Sequence, residues 1–454
     1  MRLRKLALSA ALAMAAAATA LSTSLVMAQA PAAAPASATA TVQFFPSLTG
    51  RTGAVAPNAA PFANGYADYM KLVNARGGLN GVQTLVEECE TAYATDRGVE
   101  CYERLKGRHG GATVFQPLST GITFALMPRL AVDKIPMITS GYGRSDTADG
   151  AIFPWVFPLL GHYWIAGDVL IQHIAAKAGG FERLRGKTIA VVYHDSPFGR
   201  EVLPIINRRA EMHGFQVLAL PVPPPGVEQR AIWLQIRQQR PDYVIMQTWG
   251  VMTATAIRQA IATGFPRDRM FGTWWSGAEP DLRDIGADAR GYSAVMMQHG
   301  QARNSEVVRQ ILAQVHDRGQ GTGPRTEVGD VLYMRGVVGA MLATEGVLRA
   351  QERFGRGRHM TGEQARWGYE NLNITQARLD ALGFAGVLRG PIATSCRNHV
   401  GTALMRIHTW NGSGFDWTSD WLQADMNVIT RMITASAESF ARDNNITRRT
   451  EAGC

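Results

Sequence analysis

The sequence predicts an α/β fold in which parallel central sheets are shared between two lobes. Three observations support this. Short apolar, β-branched runs alternate with helix-period segments from residue 42 onward. The run at residues 187–193 (KTIAVVY) lacks the polar alternation of a half-solvated strand, as strands covered on both faces do. The chain, at 454 residues, is also too long for one hydrophobic core. Alternating βα units imply right-handed crossovers with helices on both sheet faces. Ligands of such sheets collect beyond the carboxyl ends of the strands.

The N-terminus concerns export. Arg2, Arg4 and Lys5 precede an apolar, alanine- and leucine-rich run over residues 6–27, and Ala28-Gln29-Ala30 has the small-x-small pattern of a cleavage site. Residues 1–30 therefore read as a signal peptide, with an N-terminal membrane anchor as the alternative. No cysteine follows the run, which argues against a lipid anchor. Residues 31–40 (PAAAPASATA) read as a disordered spacer. No later segment reads as a membrane span, so the mature chain is expected to be exported and soluble.

The formal charge of +9 drops to about +6 without the three N-terminal cations. Its densest basic cluster, residues 349–358, lies beside Gly355 and Gly357 and reads as a solvated loop. No basic helix or zinc-finger spacing accompanies it, so a nucleic-acid partner is not expected. The four cysteines suit an oxidising compartment. A local Cys89–Cys101 disulfide is plausible, and Cys396–Cys454 would then tie down the C-terminal tail, although sequence leaves all three connectivities open.

Residues 42–83 are the most telling stretch. Residues 42–45 form a strand-like run bounded by Pro46, and Ser47-Leu48-Thr49-Gly50 reads as its exit turn. Ala60, Phe62, Ala63, Tyr66, Ala67, Tyr69, Met70 and Val73 recur at helical spacing, and Asn74-Ala75-Arg76-Gly77-Gly78 supplies a C-cap. A hydroxyl-bearing turn before a helix is a ready anion or small-ligand site, which makes Ser47 and Thr49 candidates. The theme then repeats. A strand at residues 112–115 exits into Leu118-Ser119-Thr120-Gly121, a helix covers 124–132, and a strand at 136–139 ends in Ser140-Gly141-Tyr142-Gly143. The 187–193 strand ends in His194-Asp195-Ser196-Pro197-Phe198-Gly199 before a helix over 200–213. Strands at 216–219, 243–247 and 270–272 follow, with helices over 231–239 and 254–263; the last two strands exit into Thr248-Trp249-Gly250 and Thr273-Trp274-Trp275-Ser276-Gly277. Residues 329–349 form a strong helical pattern, and 400–409 a strand before the hairpin turn at Trp410-Asn411-Gly412-Ser413-Gly414.

SLTG followed by NARGGLNG, then PLSTG, IPMITS and VVYHDSPFG, resembles in order the periplasmic solute-binding proteins of the leucine/isoleucine/valine type. The likeness covers residues 42–300 and, more loosely, the remainder to about 420. It implies the type I periplasmic binding protein fold: two Rossmann-like lobes joined by three hinge crossings and closing on a small ligand. On that pattern lobe one is 41–160 with 300–385, and lobe two is 161–299 with 386–454. The resemblance also implies a monomer in the periplasm, no cofactor, and an inner-membrane ABC permease as partner.

Carried over by position, the family's carboxylate-binding hydroxyl turn matches Ser119 and Thr120, whose structural alternative is an ordinary helix N-cap. The next turn matches Thr139 to Gly143, with Gly141 and a bulkier-than-usual Tyr142. Phe198-Gly199 matches the aromatic-Gly pair, and Trp249 falls where amino-acid binders often place Tyr. After Phe271-Gly272, where such members hold the ligand ammonium with an acid, this chain has Thr273-Trp274-Trp275. Either Glu279 or Asp195 reaches in, or the ligand has no ammonium, since an unpaired buried charge is heavily penalised. Phe198, Trp249, Trp274 and Tyr142 would form an aromatic box for a planar or hydrophobic carboxylate, unless the tryptophans pack in a lobe core; a cage for a cation is the other use of such rings. Branched-chain or other amino acids, or an amide or urea sensed for a partner protein, are the alternative functions. The ten histidines show no His-x-x-x-His pair, and Gly-x-Ser-x-Gly and phosphate-binding glycine fingerprints are absent, so neither a metal site nor an enzyme is expected.

Overall fold

The computed structural model describes residues 42–298, 302–451 and 453–454. The signal peptide and spacer expected over residues 1–40 lie outside them. Strand β1 (Gln43–Thr49) leads into helix α1 (Ala56–Ala75), and β2 (Thr84–Glu90) into α2 (Thr95–Leu105). Helix α3 (Thr120–Asp133) precedes two short strands, β3 (Met137–Ile138) and β4 (Val156–Phe157), and α4 (Tyr163–Ala178) follows. The alternation resumes with β5 (Thr188–His194), α5 (Pro197–Arg200), α6 (Leu203–His213), β6 (Gln216–Val222), α7 (Arg230–Gln239) and β7 (Tyr243–Gln247). Next come α8 (Val251–Thr263), β8 (Met270–Gly272), α9 (Glu279–Leu282), β9 (Ser293–Met296), α10 (Glu306–Ile311) and the long α11 (Val331–Phe354). The chain ends through α12 (Gly362–Glu370), β10 (Asn373–Ile374), α13 (Gln376–Ala381), β11 (Ile392–Ala393), β12 (Leu404–Trp410), β13 (Phe415–Trp417), β14 (Leu422–Gln423) and α14 (Met426–Asp443).

The strands form two mostly parallel layers, as the α/β pattern predicts. In the first, β1 runs parallel to β2 in the register Gln43 to Thr84. Parallel bridges from Ser47 to Gln116 and from Phe115 to Met137 carry the layer across to β3, which pairs with β4. The second sheet has the order β6-β5-β7-β8-β9, all parallel, and β12 joins β9 antiparallel with β13 and β14 paired to it. The buried faces of β5 and β7 are Ile, Val, Ala and Met with no exposure, the composition of strands covered on both sides.

Two local expectations change. β1 does not stop before Pro46: the Pro46 carbonyl still accepts from Gln116 N at 3.4 Å, and Leu48 N donates to Gln116 O at 2.9 Å. The flanking segments hold the ladder across a residue that sequence rules treat as a boundary. Ser47 and Thr49 are thereby strand residues and not turn residues. Helix α11 has the length and mean hydropathy of a membrane span, contrary to the expectation that no later segment reads as one, yet 89% of its most apolar window is buried inside the protein. It packs along α1, where Asp68 accepts from the Tyr333 hydroxyl at 2.8 Å.

The cysteines pair as Cys89–Cys101, with Cα atoms 5.7 Å apart, and Cys396–Cys454, at 5.0 Å. The first joins the end of β2 to α2. The second holds the C-terminal segment, which Arg449 also secures through Glu370. Helix α14 lies against residues 145–148, and its Ala437 and Ala441 pack with Ile152 and Phe153.

Candidate functional site

The carboxyl ends of β1 and β2 face those of β5, β7 and β8, and the turns leaving them meet in the middle of the molecule. Gly250, after β7, comes so close to the turn after β1 that a Cβ there would lie 2.4 Å from Ala54 O; its φ of +64° also favours glycine. Asn58 Nδ2 at the start of α1 donates to Asp281 Oδ1 of α9 at 3.1 Å. The backbone N–H of Ser145 donates to Glu201 Oε1 at 2.7 Å. Trp274 Nε1 and Trp275 Nε1 both donate to Gly141 O, each at 2.7 Å.

Between these contacts aromatic rings pack on one another. Trp249 stands edge-on to Trp275, with centroids 4.9 Å apart and planes at 84°. Tyr93 reaches Trp249 at 6.3 Å, and Tyr142 reaches Trp275 at 6.1 Å. Phe198 closes on Tyr163 at 5.6 Å. The rings enclose an inner space of only about 10 Å³, the scale of a single water. Outside it lies a cavity of about 420 Å³, within the ordinary range for small-ligand sites. Ser119, Gly121 and Tyr93 line it from the first sheet's turns, and His194, Ser196, Phe198 and Trp249 from the second's.

No Asp, Glu, Lys or Arg lines either space. Burial holds His194 down to about 4, so its imidazole is neutral near pH 7, with Nδ1 2.8 Å from the Ser196 hydroxyl. The site is apolar and ringed by hydroxyls. It can stack a flat or hydrophobic body and offer neutral hydrogen bonds to a polar end. Among the described residues no cluster of His, Cys, Asp and Glu has the makings of a metal site.

The structure divides the ten candidate residues. Tyr142, Phe198 and Trp249 line the inner chamber, and Ser119 lines the outer cavity. Ser119 is also the N-cap of α3, its Oγ accepting from Ile122 N at 3.3 Å. Thr120 sits one layer beneath, where its Oγ1 accepts from Gly143 N at 3.1 Å. Thr139 is fully buried, and Gly141 meets the indoles only through its carbonyl. Three expectations need correction. Ser47 and Thr49 lie inside β1, away from both spaces, with Thr49 Oγ1 donating to Glu90 Oε2 at 3.1 Å. Trp274 is turned behind the chamber, stacked on Tyr163 at 5.9 Å, and its neighbour Trp275 takes the lining position. The two acids weighed for an ammonium are both engaged elsewhere: Asp195 pairs with Arg200 at 2.6 Å, and Glu279 Oε2 accepts from Val331 N at 3.0 Å.

Sequence reasoning missed Tyr93, Leu118 and Tyr163. Tyr93 and Leu118 have positive φ, +64° and +45°, conformations that side chains rarely adopt and that local sequence does not announce. Tyr163 opens α4 and reads locally as a helix residue.

A cleft between the carboxyl ends of two parallel sheets, lined by turns from both, defines a two-sided ligand-binding protein. A family model described as periplasmic binding protein matches residues 42–415, and the chain belongs to that family, of the leucine/isoleucine/valine type. A solved structure from the Pseudomonas fluorescens group, described as an ABC transporter permease, is 39% identical, covers 91% of this chain and 100% of its own, and superposes with a TM-score of 0.83. A branched-chain amino acid ABC transporter protein from Thermus thermophilus with bound valine is 22% identical, with a TM-score of 0.72 over 87% of this chain and 99% of its own. An R. palustris solute-binding protein in complex with benzoate is 16% identical, with a TM-score of 0.63 over 85% and 98%. No curated protein sequence matches.

Proposed function

We propose that this periplasmic binding protein captures a small organic carboxylate with an aromatic or hydrophobic body and delivers it to an inner-membrane ABC permease. The observation that carries the ligand class is the chemistry of the lining: aromatic rings from both sheets and no acidic side chain. An α-amino acid would bury its ammonium without a carboxylate partner, at a cost of about several kcal/mol. A carboxylate has the Ser119 hydroxyl and the first N–H groups of α3 available, and the positive end of that helix favours it. The fold relatives solved with benzoate and with valine supply one example of each ligand class.

Capture then works by closure. On this reading the layer of β1–β4 with α1 and α11 belongs to one lobe and the sheet of β5–β9 with β12 to the other, while α14 packs against residues 145–148 and 152–153 of the first; a ligand touching both lobes shifts an existing hinge equilibrium toward the closed arrangement. Contacts such as Asn58–Asp281 and Ser145–Glu201 hold that arrangement.

The test is a thermal-shift panel of aromatic carboxylates, their primary amides, and branched-chain and aromatic amino acids. A ligand at a hundred times its Kd stabilises by about 2.7 kcal/mol, a shift of several degrees. Shifts confined to carboxylates without an α-ammonium are expected. Shifts confined to amino acids, or no shift with any member, would remove the assignment.

A further inference from the structure

The outer cavity has two polar ends. On the first sheet's side stand Ser119 and the start of α3, where the proposed carboxylate sits. On the second sheet's side, among the described residues, only His194 and Ser196 line it with side chains that can accept a hydrogen bond. The rest of that wall is proline, phenylalanine and tryptophan. His194 ends β5, is 7% exposed, and its ring centroid lies 5.9 Å from that of Phe198. Its Nδ1 is held 2.8 Å from the Ser196 hydroxyl, and Nε2 has no hydrogen bond among the described residues. A ring held through Nδ1 keeps Nε2 for a partner, and the two nitrogens take opposite roles. With Ser196 donating to Nδ1, Nε2–H donates; with Ser196 accepting, Nε2 accepts. Burial keeps the imidazole neutral near pH 7, and no Asp, Glu, Lys or Arg lines the cavity. A second carboxylate there would lack a positive partner, and an ammonium a negative one. A hydroxyl both gives and takes a hydrogen bond, so it matches either tautomer.

From this pairing we infer that His194 and Ser196 form a specificity-determining contact of the outer cavity, binding a hydroxyl on the ligand at the end away from its carboxylate. This rests on the carboxylate reading and narrows it, from aromatic or hydrophobic carboxylates to hydroxylated ones. His194 makes the contact, and Ser196 positions its ring. Discrimination works chiefly against the ligand that lacks the hydroxyl. Such a ligand strips water from the imidazole edge and returns no hydrogen bond to it.

The test measures calorimetric affinity for benzoate and for its 3- and 4-hydroxy forms in wild type, His194→Phe, His194→Gln and Ser196→Ala. In wild type at least one hydroxy form should bind about tenfold or more tighter than benzoate. The readout is that ratio, which a general weakening of the site leaves in place. His194→Phe should bring it to about one. His194→Gln, whose side-chain amide can stand in for Nε2, should keep part of it, and Ser196→Ala, which frees the ring, should lower it by a smaller factor than His194→Phe. Wild type that binds benzoate as tightly as both hydroxy forms overturns this proposal and leaves the carboxylate reading standing. A folded His194→Phe variant with the wild-type ratio does the same. Should His194→Phe fail to fold, unchanged ratios in His194→Gln and Ser196→Ala overturn the proposal, and lowered ratios in both support it. Wild type that binds none of the three acids, while amino acids bind or not, removes both readings.

Discussion

The indole N–H of Trp275 donates to the carbonyl of Gly141 at 2.7 Å, joining the turn after β8 of one sheet to the turn after β3 of the other. That carbonyl takes the Trp274 N–H as well. One backbone oxygen therefore fixes both members of the tryptophan pair, and their ring neighbours, Tyr163 for Trp274 and Trp249 for Trp275, set them apart.

Gly141 should accept no side chain. Its φ is +80°, and a Cβ would lie 2.5 Å from Met297 Cε and 2.7 Å from Trp274 Nε1. Gly141→Ala is expected to destabilise by about 2 kcal/mol, combining backbone strain with displacement of the indole. Urea unfolding gives the stability. Loss of the ligand-induced thermal shift, with the fold retained, gives the effect on closure.

Trp249 touches Tyr93 on one side and Trp275 on the other. Among the described residues its Nε1 has no hydrogen-bond partner, so packing places the ring. Trp249→Ala should weaken ligand binding tenfold or more, with a far smaller effect on ligand-free unfolding, because the ring packs between the sheets and not within either. Affinity by calorimetry checks this. A variant with unchanged affinity would return Trp249 to simple core packing.

Burial pushes the Glu201 carboxyl up to about 7 and that of Asp281 up to about 8. Both accept hydrogen bonds that join the two halves of the cleft. A folded-state value raised above the ordinary carboxylate range favours the protonated form. Its contribution is therefore full below about pH 4 and lost as pH rises through 7 to 8. Melting temperature should decline across that window, and Glu201→Gln should flatten the decline. Glu370 works in the opposite sense. Burial opposes its charge, but hydrogen bonds from His399 and Arg449 hold it down to about 2, so its contribution disappears only in acid, between about pH 4.5 and 2.

The Cys396–Cys454 bridge closes a loop with a sequence separation of 58 and anchors the chain end beside Arg449 and Glu370. Cys454→Ser should cost about 4 kcal/mol by the loop-entropy relation. It should also expose residues 444–451 to trypsin at Arg448 and Arg449. Unfolding with and without reductant, and mass analysis of the digest, measure the two effects.

How far the sequence could be read follows from the range of the forces involved. Strands at 243–247 and 270–272 and the hairpin after β12 were legible because apolar runs, turn residues and helical spacing are local properties. Ser47 and Thr49 misled for the same reason: Pro46 looked like a strand end until its neighbours on both sides carried the ladder past it. Trp274 and Trp275 were indistinguishable by type, and packing on Tyr163 for the first and on Trp249 for the second separated them.

By itself the sequence determined the parallel α/β architecture, the family, and the aromatic, acid-poor character of the strand-end turns, because periodicity and residue chemistry are written along the chain. Tertiary structure alone decided that Tyr93 and Tyr163 join Trp249 and Trp275, that Ser119 and not Thr120 faces the outer cavity, and that the buried Arg335 guanidinium sits over Trp275. Those are relations between residues tens to hundreds of positions apart. They are fixed only when two sheets and a long helix pack and each buried polar group either finds a partner or is left without one.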